Sequence, residues 1–161
     1  IPLLPTRRSA ERSPGREGDQ PAPGFAGAAV LLVEDDEINR YVTTELLVGN
    51  GLQVLHAADG QEALEILSFR PVDVVLMDLF MPGMDGLAAA RAIRALPGPA
   101  GSVPIMALTA AVTPDIRQQC RDAGMQDFLA KPIRRDNLLA ALAAILPHTD
   151  EPQLSTGLKN R

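Results

Sequence analysis

Cysteine is almost missing from these 161 residues: Cys120 stands alone, so no intramolecular disulfide can form and a reducing compartment is expected. No apolar run approaches the roughly 18 residues of a membrane span, and no charged start leads into an apolar signal segment. The expectation is a cytoplasmic segment with no membrane contact of its own, in a parent protein that can itself be anchored. Clusters of Lys and Arg are absent too. Residues 29–146 carry nine basic against fifteen acidic residues, a net charge of −6 that repels phosphate backbones and disfavours direct nucleic-acid binding. Neither GxGxxG nor GxxxxGK[ST] occurs, so the chain lacks those nucleotide-binding loops and is not itself a kinase. What is present, 46 % apolar and 22 % charged residues, suits one soluble domain.

The chain begins at Ile1 rather than Met and is read as a piece of a longer protein. Residues 1–28 hold five Pro and four Gly with Arg and acidic residues interleaved, the composition of a flexible linker. Residues 147–161 form a similarly polar tail, where His148 is expected to be solvent-exposed.

Between these flanks, residues 29–146 alternate strand-like and helix-like segments five times. Ala29 to Val33 is a short apolar run, followed by helical spacing from Glu37 to Val48 that Gly49, Asn50 and Gly51 stop. On that helix the spacing points Val42 and Leu46 at the core. Leu52 to Ala57 alternates weakly and reads as an edge strand before a helix from Gly60 to Ser68. Val72 to Met77 and Val103 to Leu108 are nearly continuous apolar runs, the pattern of strands covered on both faces. Helices from Leu87 to Leu96 and Pro114 to Ala123 follow them. A short strand, Asp127 to Ala130, and a helix from Arg135 to Leu146 complete the series. Short loops between strand and helix demand a parallel sheet with right-handed crossovers and helices on both faces.

In such sheets the working site lies beyond the carboxyl ends of the strands. Strand one ends in Glu34 and Asp35, strand three in Asp78, strand four in Thr109, and strand five in Lys131 and Pro132. Three carboxylates brought to one rim repel each other unless a cation neutralises them, and an all-oxygen set without His or Cys suits a hard cation such as Mg²⁺. Metal, the Lys131 ammonium and the Thr109 hydroxyl together make a cradle for a phosphoryl group. Asp36 reads as a helix cap, His56 as structural, and Cys120 as a packed thiol on an apolar stripe.

Four stretches, LLVEDDEINR (31–40), VVLMDLFMPGMDG (74–86), IMALTA (105–110) and GMQDFLAKPI (124–133), carry a resemblance. In order and spacing, residues 29–146 resemble the receiver domains of two-component response regulators, above all those attached to hybrid sensor histidine kinases. The resemblance implies a flavodoxin-like α/β fold, a doubly wound five-stranded parallel sheet of order 2-1-3-4-5 with five helices. It implies that Asp78 accepts a phosphoryl group from phosphohistidine. Asp35 would bind Mg²⁺ directly and Glu34 through water, with Asp78 and the Phe80 carbonyl as further ligands. Lys131 would pair with the phosphoryl oxygens, Thr109 and Phe128 would form the conformational switch, and the Lys131–Pro132 bond would be cis. The implied partner is a histidine kinase dimerisation domain or a histidine-phosphotransfer domain, docking near Ile38, Tyr41 and Glu45. Two other classes remain open: a Mg²⁺-dependent aspartyl-phosphate hydrolase and a receiver-like module that only docks. The hydrolase pattern repeats an Asp two residues after the nucleophile, where this chain has Phe80.

Overall fold

A computed structural model describes residues 25, 27–81 and 83–146. Most of the expected linker 1–28 and all of the expected tail 147–161, His148 included, lie outside the described residues. The elements run β1 (Ala29–Val33), α1 (Glu37–Val48), β2 (Gln53–Ala57), α2 (Gly60–Phe69), β3 (Val74–Asp78), α3 (Gly86–Arg94), a 3₁₀ turn (Gly98–Ser102), β4 (Ile105–Thr109), α4 (Pro114–Asp122), β5 (Asp127–Ala130) and α5 (Arg135–Ile145). All strand pairings are parallel and the sheet order is β2-β1-β3-β4-β5, as the resemblance implied. No helix among the described residues is long and apolar enough to cross a membrane.

Strand alternation divides the core in two. Leu31, Val33, Val75, Met77, Ile105 and Ala107 face α2, α3 and α4, where they meet Leu67, Ala90, Ile93 and Cys120. Val30, Leu32, Val74, Leu76, Met106 and Leu108 face α1 and α5 through Leu47, Leu138 and Leu142. Every residue of β3 and β4 is buried, the expected result for strands covered on both sides. Four of the five α-helices start where short polar side chains satisfy free N–H groups: Asp36, Asp59, Asp85 and Thr113 accept from the amides of Asn39, Glu62, Ala88 and Ile116.

Two expectations need correction. Val42 is 48 % exposed, and α1 instead buries Thr43 and Leu47. The spacing Val42–Leu46 and the spacing Thr43–Leu47 are equivalent on a helix; packing chose the frame that drives Leu47 fully into the layer with Leu138 and Leu142 and leaves Leu46 partly buried against it. Phe25, placed by composition in the linker, is 1 % exposed and belongs to that same layer. The Gly27 amide donates to the Gly51 carbonyl, so the packed structure begins ahead of residue 29. Composition hid this because one aromatic among Pro and Gly has no periodicity. The 3₁₀ turn Gly98–Ser102 likewise falls in a segment read only as a connection.

Candidate functional site

β1 and β3 are neighbours, and their carboxyl ends deliver Glu34 and Asp78 side by side with both side chains buried. Asp35 follows at the exposed rim. One carboxylate oxygen from each of the three lies within 4.8 Å of the others. From the end of β5, Lys131 sets Nζ 3.1 Å from Asp78 Oδ1 and 3.2 Å from Glu34 Oε1. Its backbone amide donates to the Thr109 carbonyl, which fixes the lysine against the end of β4. The peptide bond from Lys131 to Pro132 is cis.

Charge dominates the chemistry here. Burial first, and then the neighbouring Asp78 carboxylate, push the Glu34 carboxyl up to about 6 against the pull of Lys131. Burial works to lower Lys131, but Asp78 and Glu34 outweigh it and hold the ammonium above its usual value. Three carboxylates face one ammonium, so the pocket has an excess of negative charge and only oxygen donors. That donor set fits a hard divalent cation held by Glu34, Asp35 and Asp78.

The rim is held by backbone contacts. The Phe80 amide donates to Asp78 Oδ1 at 3.3 Å, and Phe80 itself is 61 % exposed. At Gly86 a Cβ would run into the Asp78 carbonyl oxygen, so only glycine lets α3 start this close to β3. Thr109 is buried, and its hydroxyl donates to the Ala111 carbonyl while accepting from the Ala111 amide, both at 3.1 Å. Phe128 is half-buried on β5, paired in register with Ala107. Ile38 and Tyr41 are 74 % and 66 % exposed, and Glu45 is exposed on the same helix.

Two participants were missed in the sequence. Arg40 donates through Nη1 to the Glu34 carbonyl at 3.0 Å and so anchors the end of β1; helical spacing from the Asp36 cap places it one turn in, but nothing local marks its partner. Arg117, on α4, sets its guanidinium 4.9 Å from the centre of the Phe128 ring. His56 is structural as expected. Thr44 donates its hydroxyl hydrogen to the Arg40 carbonyl at 2.6 Å, so at 2.9 Å its oxygen accepts from His56 Nε2–H. Cys120 is buried.

A family model described as the response regulator receiver domain matches residues 30–143. The sensor histidine kinase AruS of Pseudomonas aeruginosa is 40 % identical over 126 residues, 78 % of this chain but 13 % of AruS. The CAI-1 autoinducer sensor kinase/phosphatase CqsS of Vibrio cholerae is 37 % identical over 115 residues, 71 % of this chain and 17 % of CqsS. The chain thus spans well under a fifth of the length of these relatives. Among solved structures, the receiver domain of sensor histidine kinase PA1611 from Pseudomonas aeruginosa, with a magnesium ion in its active site cleft, is 40 % identical with a TM-score of 0.69, covering 74 % of this chain and 98 % of that one. Chemotaxis protein CheY4 of Vibrio cholerae is 33 % identical with a TM-score of 0.71, covering 75 % of this chain and 100 % of that one.

Proposed function

This chain belongs to the response regulator receiver domain family, and on that premise we propose that it accepts a phosphoryl group from phosphohistidine onto Asp78 and changes conformation in response. The observation that carries the reading is the convergence of Asp78, Glu34 and Lys131 within hydrogen-bond range at three separate strand ends. Glu34, Asp35 and Asp78, with the Phe80 carbonyl, would hold Mg²⁺. When bound, it supplies countercharge to the transferring oxygens.

The rest of the chemistry belongs to the chain's own residues. An Asp78 carboxylate oxygen forms a bond to phosphorus as the donor's P–N bond breaks, and the imidazole leaves with the bonding electron pair and regains a proton from water. Little acid or base work is needed for so loose a transfer; positioning and charge decide its rate. Lys131, already in contact with Asp78, supplies the fixed positive charge. The Thr109 hydroxyl has one hydrogen, now committed to Ala111, and hands it to a phosphoryl oxygen after transfer, which lets Phe128 turn inward. The donor sits on a helical bundle, either a kinase dimerisation domain or a histidine-phosphotransfer domain, that docks over Ile38, Tyr41 and Glu45. The parent protein is a hybrid sensor histidine kinase, with this segment in the cytoplasm.

Incubation with a small acyl phosphate and Mg²⁺ tests the reading. One phosphoryl group per chain on the wild type, and none on Asp78→Asn, is the expected result. Sustained phosphate release would instead indicate a hydrolase, and an unlabelled wild type a docking module.

A further inference from the structure

Arg117 and Phe128 join α4 to β5 at the solvent side of the core contacts that Cys120 and Ile116 make. Of the nine residues in α4 only Cys120 is buried, whereas α3, of the same length, buries four. Such a helix shifts at low cost, because few buried apolar contacts resist it. The Arg117 guanidinium, 4.9 Å from the centroid of the Phe128 ring, adds to the Ile116 packing one further contact that fixes the first turns of α4 against β5.

The first turn of α4 is in turn tied to Thr109. The Arg117 amide donates to the Thr113 carbonyl at 2.9 Å, and the Thr113 hydroxyl caps the helix by accepting from the Ile116 amide at 3.1 Å. Thr113 lies two residues beyond Ala111, whose amide and carbonyl both engage the Thr109 hydroxyl. The Phe128 ring is thus linked through Arg117 to Thr113, and from Thr113 through the two backbone steps to Ala111, to the hydroxyl at the site.

We propose that Arg117 is a positioning residue of the phosphoacceptor site, its stack on Phe128 holding α4 and residues 110–113 so that the Thr109 hydroxyl stays on Ala111 and the site stays in its resting arrangement. The proposal rests on the receiver reading, since it gives Arg117 control over how readily that site accepts a phosphoryl group. An exposed guanidinium–ring stack biases a two-state equilibrium by about two- to fivefold, so Arg117 tunes the switch and does not lock it.

The experiment uses the whole chain carrying fluorinated phenylalanine, with the Phe128 resonance assigned by its loss in Phe128→Leu. In the unphosphorylated chain, Arg117→Gln should move the Phe128 resonance, and Arg117→Lys, which keeps a cation over the ring, should return it part of the way. With a small acyl phosphate and Mg²⁺, Arg117→Gln should be labelled about two- to fivefold faster than the wild type. In a Phe128→Leu background the same substitution should change the rate by less than the error of the measurement. An unmoved resonance, an unchanged rate, or an effect that persists without Phe128 would overturn the proposal. Failure of every variant to take label would overturn the receiver reading instead, and the fluorine shifts of the unphosphorylated chain would then decide the Arg117 proposal alone.

Discussion

Lys131 Nζ touches Asp78 Oδ1 at 3.1 Å, yet this single ammonium also serves Glu34 and leaves the exposed Asp35 without any part of its charge balanced by that contact. Two buried carboxylates share that one cation, and burial first, then the neighbouring Asp78 carboxylate, hold Glu34 above its ordinary value. A divalent cation relieves the repulsion between the two. At ten times its dissociation constant a ligand adds about 1.4 kcal/mol of stability, a shift of a few degrees for a domain of this size. Chelation of Mg²⁺ with EDTA should therefore lower the Tm of the wild type by that amount and the Tm of Asp35→Ala by clearly less. Equal drops in both would remove Asp35 from the metal site.

The Thr109 hydroxyl offers a separate test of the switch. Its one hydrogen is on the Ala111 carbonyl, so Thr109→Val should leave phosphoryl acceptance by Asp78 intact while abolishing the chemical-shift changes that phosphorylation causes around Phe128. NMR spectra before and after labelling decide the matter. Persistence of the Phe128 changes in the valine variant would break the link between the two residues.

The positions of the site residues were readable because they need only two facts, where a strand ends and that parallel strands all end on one rim. Glu34, Asp78, Thr109 and Lys131 meet for that reason alone. Element bounds were readable where a cap or a turn residue marks them, as at Asp36 and Gly49 around α1. The rotation of α1 was not, because Thr43 counts as polar in any pattern and yet lies buried. Nor was the role of Arg94, which donates to the carbonyls of Gly101, Val103 and Gly124 and to the Gln126 side chain. Those partners lie 7 to 32 residues away, beyond any local pattern.

His56 gives the fold a small pH dependence of predictable sign. Burial first, and then Arg40, hold its imidazole below the ordinary value of 6.5, so the folded chain prefers it neutral. As pH falls through that value the unfolded chain takes up the proton first, and stability is lost on the acidic side of about pH 6.5. Melting curves between about pH 7.5 and 5.5 should slope less for His56→Gln than for the wild type. The same slope in both would show that His56 does not contribute.

Loss of the phosphoryl group requires a water aimed at phosphorus, and the two side chains nearest in sequence to that path are poorly equipped for it. Phe80 and Ala111 stand two residues beyond Asp78 and Thr109, and neither has an amide or carboxylate to orient water. The aspartyl phosphate should accordingly be long-lived. Installing such groups in Phe80→Asn with Ala111→Glu should shorten the half-life by about tenfold or more, read as decay of label in excess Mg²⁺. A half-life unaffected by the double change would mean that other features protect the bond.

Ile38 is 74 % exposed in the first turn of α1, with Tyr41 one turn along the same helix and the Asp36 cap just ahead of it. Ile38, Tyr41 and Val42, all exposed on this helix, together make an apolar patch of the kind that marks an interaction surface. On the proposed function, a helical donor domain that brings its histidine to Asp78 would cover the first helix, Ile38 included. A small phosphodonor does not need that surface. Ile38→Glu should therefore slow phosphotransfer from a phosphohistidine protein by about tenfold, the usual effect of losing one good interface anchor, while labelling by an acyl phosphate proceeds at the wild-type rate. Exposure of the side chain makes misfolding an unsuitable explanation, and an unchanged Tm would verify this. Parallel slowing of both reactions would show that Ile38 acts on the site itself, and the docking surface would then have to be sought elsewhere on the rim.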